Sequence, residues 1–328
     1  MKILGIGNAL VDVLIKLPDE KLLNELSVAK GSMNLIDADL REKIFDRIKD
    51  FPITQTTGGS VSNTTLALRQ LGEPVGFMGK VGNDVYGDFY LKEMTDLDIE
   101  LHLIKADSFS GTAIAMITPD GERTFCTYLG AAADMRKEDL HLSVFEQYTH
   151  LYIEGYLVQN HELIETALAM AKSLQMTVIL DLASFNVVAS DKKFIASLVD
   201  RYVDILFANE EEVMALIEKP AETAIHEIAE KVSTVVMKTG PKGSWIKQKD
   251  LFIHIPVYKK IKPVDTTAAG DYYAAGYFYG MINGVSPEKC AKLGTLLSYN
   301  IIQVIGTKLP EETWTEIRKE ANVIMNYC

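Results

Sequence analysis

An aspartate at the end of a run of small residues is the first feature that could do chemistry: Asp265-Thr266-Thr267-Ala268-Ala269-Gly270-Asp271 leads into Tyr272-Tyr273-Ala274-Ala275-Gly276. Small side chains let a ligand approach the backbone. At a helix start the unpaired amides of Ala268, Ala269 and Gly270 would form an anion pocket, backed by about half a positive charge. A carboxylate beside that pocket would repel a bound phosphate, unless it takes the proton from a hydroxyl attacking the phosphorus. Asp271 is therefore the candidate general base. The alternative is that Asp265 or Asp271 only caps a core helix.

Thr57-Gly58-Gly59-Ser60-Val61-Ser62-Asn63 precedes the helical pattern Val61, Leu66, Leu68, Leu71 and ends at Gly72, so paired glycines again stand at a helix start. One turn in, the Asn63 amide can both donate to and accept from sugar hydroxyls; otherwise Ser60 is a cap and Asn63 is solvated. Asn8 and Asp12, at the end of the first strand, pose the same choice, because a short carboxylate chelates vicinal hydroxyls or makes a turn. Two such places fit one polyol, which favours hydroxyl binding.

Asn209-Glu210-Glu211-Glu212 follows a strand at 205–208, where α/β proteins keep their sites. Asn209 can also cap the helix, and first-turn acids stabilise it, which accounts for Glu210 and Glu211. Glu212 is the candidate for organising Mg²⁺ and its waters. Lys238-Thr239-Gly240-Pro241-Lys242-Gly243 likewise ends a strand, offering a hydroxyl and glycine amides to phosphate, or simply a turn.

These motifs need elements to hold them. Beyond residue 150, short apolar runs at 151–153, 178–180, 205–207 and 235–237 alternate with amphipathic helical stretches, the pattern of an α/β fold with a doubly wound, mostly parallel sheet flanked by helices. In the first half, Val11, Val13, Ile15 and Leu17 alternate with other residues. Thr112 to Ile117 is matched to Arg123 to Tyr128 across Pro119-Asp120-Gly121, an antiparallel hairpin. With helices at 60–71 and 84–97, this predicts a single unit over 1–328 carrying a discontinuous small β-sheet lid at about 12–36 and 99–128. An exposed lid sheet either pairs with a second subunit as a homodimer or stays capped.

The chain has 328 residues, 48% hydrophobic and 24% charged, ordinary for a globular protein. Its 45 acidic and 33 basic residues give a net charge of −12, which opposes nonspecific binding to nucleic acid or anionic membranes. Cys126, Cys290 and Cys328 lack C-x-x-C spacing, so neither a disulfide framework nor a thiolate zinc site is expected. Asn8 and Asp12 interrupt the first apolar stretch too early for a signal peptide, and the stretch around 274–282 is far short of the ~18 residues of a membrane span. A cytoplasmic protein is expected. Gly5-Ile6-Gly7 lacks the third glycine of a dinucleotide fingerprint, and no G-x-x-x-x-G-K-[ST], H-E-x-x-H or G-x-S-x-G motif occurs.

Taken in order, Gly58-Gly59 to Asn63 with Gly72, Gly79-Lys80-Val81-Gly82-Asn83-Asp84 with Gly87, and Asp265 to Asp271 resemble the signatures of the ribokinase-like, or PfkB, family of carbohydrate and nucleoside kinases. The resemblance covers nearly the whole chain. It implies transfer of the ATP γ-phosphate to a hydroxymethyl group, with Asp271 as base and Ala268, Ala269 and Gly270 as anion hole. It further implies Asn209 and Glu212 as organisers of Mg²⁺ and phosphate, Thr239, Gly240 and Gly243 around the nucleotide, and Asp12, Gly58, Gly59 and Asn63 on the sugar. Monovalent-cation activation in the family points to K⁺ near Asp265 and Thr267. The start Gly5 to Asp12, with Leu22 to Met33, looks more like adenosine kinases than ribokinase or fructokinase, which implies the 5'-hydroxyl of adenosine as acceptor. A sugar kinase is the near alternative, and a non-catalytic sugar- or nucleoside-binding module would have no need of Asp271. A base needs an aromatic slot, for which Phe125, Tyr128, Tyr156 and Phe185 are candidates. One departure is Ala268, where the family commonly has Gly; Ala suits a helical or bridge conformation but not a positive φ.

Overall fold

The computed structural model describes residues 1–327, and Cys328 lies outside the described residues. In chain order the strands are β1 (Ile3–Ile6), β2 (Leu10–Lys16), β3 (Met33–Leu35), β4 (Ile53–Gly58), β5 (Val75–Gly82), β6 (Glu100–Ala106), β7 (Gly111–Ile117), β8 (Arg123–Tyr128), β9 (His150–Glu154), β10 (Thr177–Asp181), β11 (Ile205–Asn209), β12 (Thr234–Lys238), β13 (Ser244–Gln248) and β14 (Leu251–Ile255).

Alternate residues of the central strands enter two separate cores. Ile3, Tyr152, Ile179, Phe207 and Val236 face one, whereas Leu4, Leu151, Val178, Leu206 and Val235 face the other. That two-sided burial is what a parallel sheet covered by helices on both faces requires. Among the described residues the large sheet runs β14-β13-β12-β11-β10-β9-β1-β5-β6, parallel except for β13 and β14. Helices His161–Ser173, Lys192–Tyr202 and Ala221–Ala229 cover one face. The helices Ser60–Gln70, Ala269–Ile282 and Pro287–Ile301 cover the other.

The smaller sheet runs β3-β8-β7-β2-β4. The expected hairpin is present, with Thr112 opposite Tyr128 and Ile117 opposite Arg123. Two boundaries differ from expectation. Glu100–Ala106, assigned from sequence to the lid, pairs in parallel with β5 as the edge of the large sheet. Ile53–Gly58, assigned to neither sheet, pairs antiparallel with β2. Leu101 and Leu103 alternate with polar residues because an edge strand is only partly covered, and that alternation imitates a two-sided antiparallel strand.

The strand order reverses at β1, which has β5 on one side and β9 on the other. Ligand crevices of wound α/β sheets open beyond the strand C-termini at such a switch point. Here it lies between Gly7-Asn8 and Glu154-Gly155. Cys126 and Cys290 are buried free thiols, and no described helix is long and apolar enough to cross a membrane.

Candidate active site

Glu154 closes the floor of the crevice. It is the last residue of β9 and is buried, and its Oε1 accepts from the Asn8 backbone N–H at 2.9 Å and from Asn8 Nδ2 at 2.8 Å. Its Oε2 accepts from the Val61 N–H at 3.2 Å, at the start of Ser60–Gln70. Burial pushes its pKa up to about 7 despite those N–H donors. One carboxylate thus ties the end of β1 to the Gly58–Asn63 loop.

That loop lies tightly on its surroundings. Gly59 has φ +97°, and a Cβ there would sit 2.1 Å from the Asn8 carbonyl oxygen. A Cβ on Gly58 would meet Asp12 Oδ1 at 2.2 Å, so the Asp12 carboxylate rests directly on the glycine. Burial, together with the charges of Asp271 and Asp265, pushes Asp12 up to about 7.

Asp271 meets the same loop from the opposite side. Ser60 Oγ donates to its Oδ1 at 2.7 Å and Asn63 Nδ2 to its Oδ2 at 2.8 Å, while Thr64 Oγ1 donates to its backbone carbonyl at 3.1 Å. Asn63 therefore binds the aspartate rather than standing solvated, and Ser60 is not a backbone cap, since the N-cap is Gly59. Burial pushes Asp271 up to about 6; Ser60 and Asn63 oppose the rise, and the charge of Asp181 adds to it. A carboxylate poised there serves as a base near neutral pH.

The helix Ala269–Ile282 begins at Ala268, which is its N-cap. The Ala269 N–H turns back to the Thr266 carbonyl at 3.2 Å. The N–H groups of Gly270 and Asp271 have no protein acceptor among the described residues. Of the three amides expected to form the anion pocket, only that of Ala269 is engaged; the Ala268 N–H, like that of Gly270, has no acceptor among the described residues, and Asp271 adds a further free amide. Ala268 itself has φ 60° and ψ 7°, the left-handed conformation that its methyl group disfavours by about 1–2 kcal/mol. The helical or bridge geometry expected for alanine is not the one adopted. Ala268→Gly is expected to raise the melting temperature by about 2 °C, after subtracting the greater unfolded-state freedom of glycine, with activity retained. A lower melting temperature would show that the loop is not strained at this residue.

Asn209 and Glu212 cap the helix Glu210–Ile217 reciprocally. Glu212 N–H donates to Asn209 Oδ1 at 2.8 Å, while the Asn209 backbone N–H and Nδ2 donate to the two Glu212 oxygens, each at 2.8 Å. Glu212 is buried and its pKa is raised by burial, with Lys238 opposing. With both oxygens engaged, its chemistry fits orienting a water around a metal better than direct ligation. No group of three or more His, Cys, Asp or Glu residues capable of holding a metal occurs among the described residues.

Thr239–Gly243 forms the turn that was the alternative reading, with Thr239 N–H donating to the Gly243 carbonyl at 2.8 Å. Gly240 has φ +54° with open space around it, whereas a Cβ on Gly243 would sit 2.0 Å from the Ile255 carbonyl oxygen. Gly243 is therefore explained by packing. Thr239 Oγ1 is buried without a hydrogen-bond partner among the described residues, an acceptor and donor left for a ligand.

Asp265 is fully engaged. Its Oδ1 accepts from the Thr267 N–H at 3.0 Å and Thr267 Oγ1 at 2.7 Å; its Oδ2 accepts from the Gly306 N–H at 2.8 Å and pairs with Arg123 of β8. Arg123 thereby connects the smaller sheet to the loop of Asp271. Of the aromatic candidates, Tyr156 lies two residues beyond Glu154 and its hydroxyl donates to the Ala183 carbonyl at 3.4 Å, while burial, then the charges of Glu154 and Asp271, raise its pKa. Tyr128 instead packs on Arg41, Phe125 lies on β8 and Phe185 is exposed.

The residues not foreseen are Glu154, Asp181, Lys238 and Arg123. Asp181 and Lys238 form an ion pair of 2.9 Å at the ends of β10 and β12, and a Cβ built on Gly270 would lie 3.3 Å from Lys238 Nζ. Glu154, Asp181, Asn209 and Lys238 are each the last residue of their strand, so the rule that selected Asn209 applies to all four.

Comparison with known proteins accords with this geometry. The structure matches that of an adenosine kinase from Sinorhizobium meliloti at a TM-score of 0.86 and 30% identity, covering 98% of this chain and 99% of that one. It matches a probable sugar kinase from Rhizobium etli equally well, at a TM-score of 0.86 and 29% identity over 98% of both chains. Adenosine kinase 2 of Arabidopsis thaliana is 25% identical over 94% of this chain and 96% of its own length. The profile of pfkB family carbohydrate kinases matches residues 24–314. With the motifs from both halves of that span meeting at Asp271, the chain belongs to the pfkB family of carbohydrate kinases, phosphotransferases with an alcohol acceptor.

Proposed function

We propose that the protein is a cytoplasmic kinase that transfers the γ-phosphate of ATP to the 5'-hydroxyl of a nucleoside, adenosine foremost. The observation that carries the reading is the Asp271 carboxylate, held by Ser60 and Asn63 while the Gly270 and Asp271 N–H groups stand free beside it. A proton acceptor and an anion site within one residue of each other suit the attack of a hydroxyl on phosphorus.

In this reading Asp12, with Gly58 and Gly59 beneath it, holds the ribose hydroxyls, and Asn63 orients Asp271 toward the 5'-hydroxyl. Asp271 takes the proton as the oxygen attacks. The free amides of Ala268, Gly270 and Asp271 receive charge on the γ-phosphoryl oxygens, with Ala269 shaping the loop. Thr239 and Gly240 border the nucleotide, and Asn209 and Glu212 orient water around Mg²⁺. Bound with the nucleotide, Mg²⁺ supplies neutralisation of the phosphate charge. The Asp265 side chain already carries Arg123, Gly306 and Thr267, so K⁺ would have to use carbonyl oxygens of that loop. The smaller sheet, bearing Asp12 and Arg123, is read as the lid that excludes water from the transfer.

The 30% identity to an adenosine kinase over nearly the whole chain supports a nucleoside acceptor. The test is ADP release from Mg·ATP with adenosine, inosine, guanosine, cytidine, ribose and fructose in parallel. Adenosine is expected to give the highest kcat/KM. Turnover with a free sugar alone would discard the nucleoside, and no turnover with any acceptor would overturn the reading.

A further inference from the structure

The crevice is crowded with carboxylates: Asp12, Glu154, Asp181, Glu212, Asp265 and Asp271. A triphosphate brought into that field needs fixed positive charge where the transferring group develops its own. The structure places two cations against the loop at 265–271, and they are not equivalent. Arg123 is spent on Asp265, at the far end of the loop. Lys238 stands beside Gly270, a residue with a free amide, with its Nζ 3.3 Å from the position of a Cβ there.

Lys238 is also incompletely used. Its Nζ donates to Asp181 Oδ2 at 2.9 Å and to Oδ1 at 3.3 Å. An ammonium has three N–H groups, and the third has no acceptor among the described residues. The pair is lopsided: the Asp181 side chain is 3% exposed and that of Lys238 is 18%, so the carboxylate is sealed behind the ammonium and the ammonium reaches the crevice. Asp181 is fixed in turn by the Ala183 N–H at 3.1 Å. Stability does not explain such a pair, because desolvating two charges offsets most of their attraction. Burial works against the Lys238 charge, but Asp181 and Glu212 more than compensate and hold it protonated.

We propose that Lys238 is a catalytic residue whose free N–H binds the γ-phosphoryl oxygens during transfer, and that Asp181 is the positioning residue that aims it. The inference rests on the kinase reading above. In the step, the acceptor oxygen forms its bond to the γ-phosphorus as the bridging β–γ P–O bond breaks. The electron pair of that bond leaves on the ADP oxygen, and the hydroxyl proton goes to Asp271. Lys238 keeps its own proton throughout and, with the amides of Gly270 and Asp271, stabilises the charge on the non-bridging oxygens.

The experiment compares wild type with Lys238→Met, Lys238→Arg, Asp181→Asn and, as a separate control, Asp271→Asn. Each is measured for kcat and KM, for calorimetric affinity toward Mg·ADP and the β,γ-imido analogue of Mg·ATP, and for melting temperature. Lys238→Met is expected to lower kcat about 10²-fold, with nucleoside and ADP affinity unchanged and affinity for the imido analogue reduced about tenfold. Lys238→Arg recovers part of both losses. Asp181→Asn, which keeps the ammonium but loosens it, lowers kcat with ADP affinity unchanged, and tests the idea even if Lys238→Met fails to fold. A Lys238→Met enzyme within threefold of wild-type kcat, or one losing ADP and imido-analogue affinity equally, would overturn the proposal. Failure of the kinase reading looks different: there Asp271→Asn retains wild-type turnover whatever Lys238 does.

Discussion

Asp271→Asn is expected to lower kcat by roughly 10² to 10⁴ while nucleoside affinity changes by no more than a few-fold. The substitution keeps the shape of the side chain. Its carbonyl oxygen still accepts from Ser60, and the Asn63 amide can turn over to offer its own oxygen to the new amide group. What disappears is the lone pair able to take a proton. The pH dependence carries the same signature. Asp271 lies near 6 and works only when deprotonated, so kcat/KM should fall about tenfold per pH unit below 6 and level off above it. Asp12 and Glu154 titrate near 7, and Asp181 and Lys238 also face this carboxylate, so the variant profile is the decisive control. If the variant keeps full turnover, or keeps the same acid limb, the base is another group.

Gly59→Ala should be nearly as damaging, but through KM and stability rather than through the chemical step. At φ +97° and ψ 136° no L side chain is comfortable, and the added carbon would lie 2.1 Å from the backbone oxygen of Asn8, which cannot swing aside as a side chain would. The loop would have to lift from β1, taking Val61 N–H away from Glu154 and Ser60 away from Asp271. The expected result is a KM for the nucleoside raised at least about 10²-fold, together with a loss of about 2 kcal/mol or more in unfolding free energy. Gly72→Ala is the matching control: Gly72 has φ +94° but nothing within 4 Å of a new Cβ. That variant should lose stability and keep its KM. An unchanged KM in Gly59→Ala would remove the Gly58–Asn63 loop from the substrate site.

What could be read without coordinates follows from the range of the interactions involved. Strands β9 to β12 announce themselves as apolar runs because both faces are buried, and the hairpin of β7 and β8 because its turn is local. Asp271 and Asn63 stand out because each follows a run of small residues at a helix start. Their bond to each other could not be read, since 208 positions separate them. Glu154 was hidden for the same reason, being 146 positions from Asn8, and a strand-terminal glutamate carries no sign of what it will meet. β4 offers little apolar signal, since Thr54 and Gln55 are exposed on the edge of its sheet. The left-handed turn at Ala268 is the converse case, in which residue preference pointed to one conformation and the packing around the loop selected another.

The position of β1 also bears on how the chain reaches this structure. β1 lies between β5 and β9, and the next strand, β2, is built into the other sheet between β4 and β7. Neither sheet can complete its hydrogen bonds around these first strands until segments far along the sequence have been made. The pairing is nonlocal and mostly parallel, the combination that slows folding most because loop closure precedes any gain from contact. During synthesis the apolar residues of β1 and the alternating valines of β2 therefore wait exposed, and the crevice they border can form only after β9 has joined.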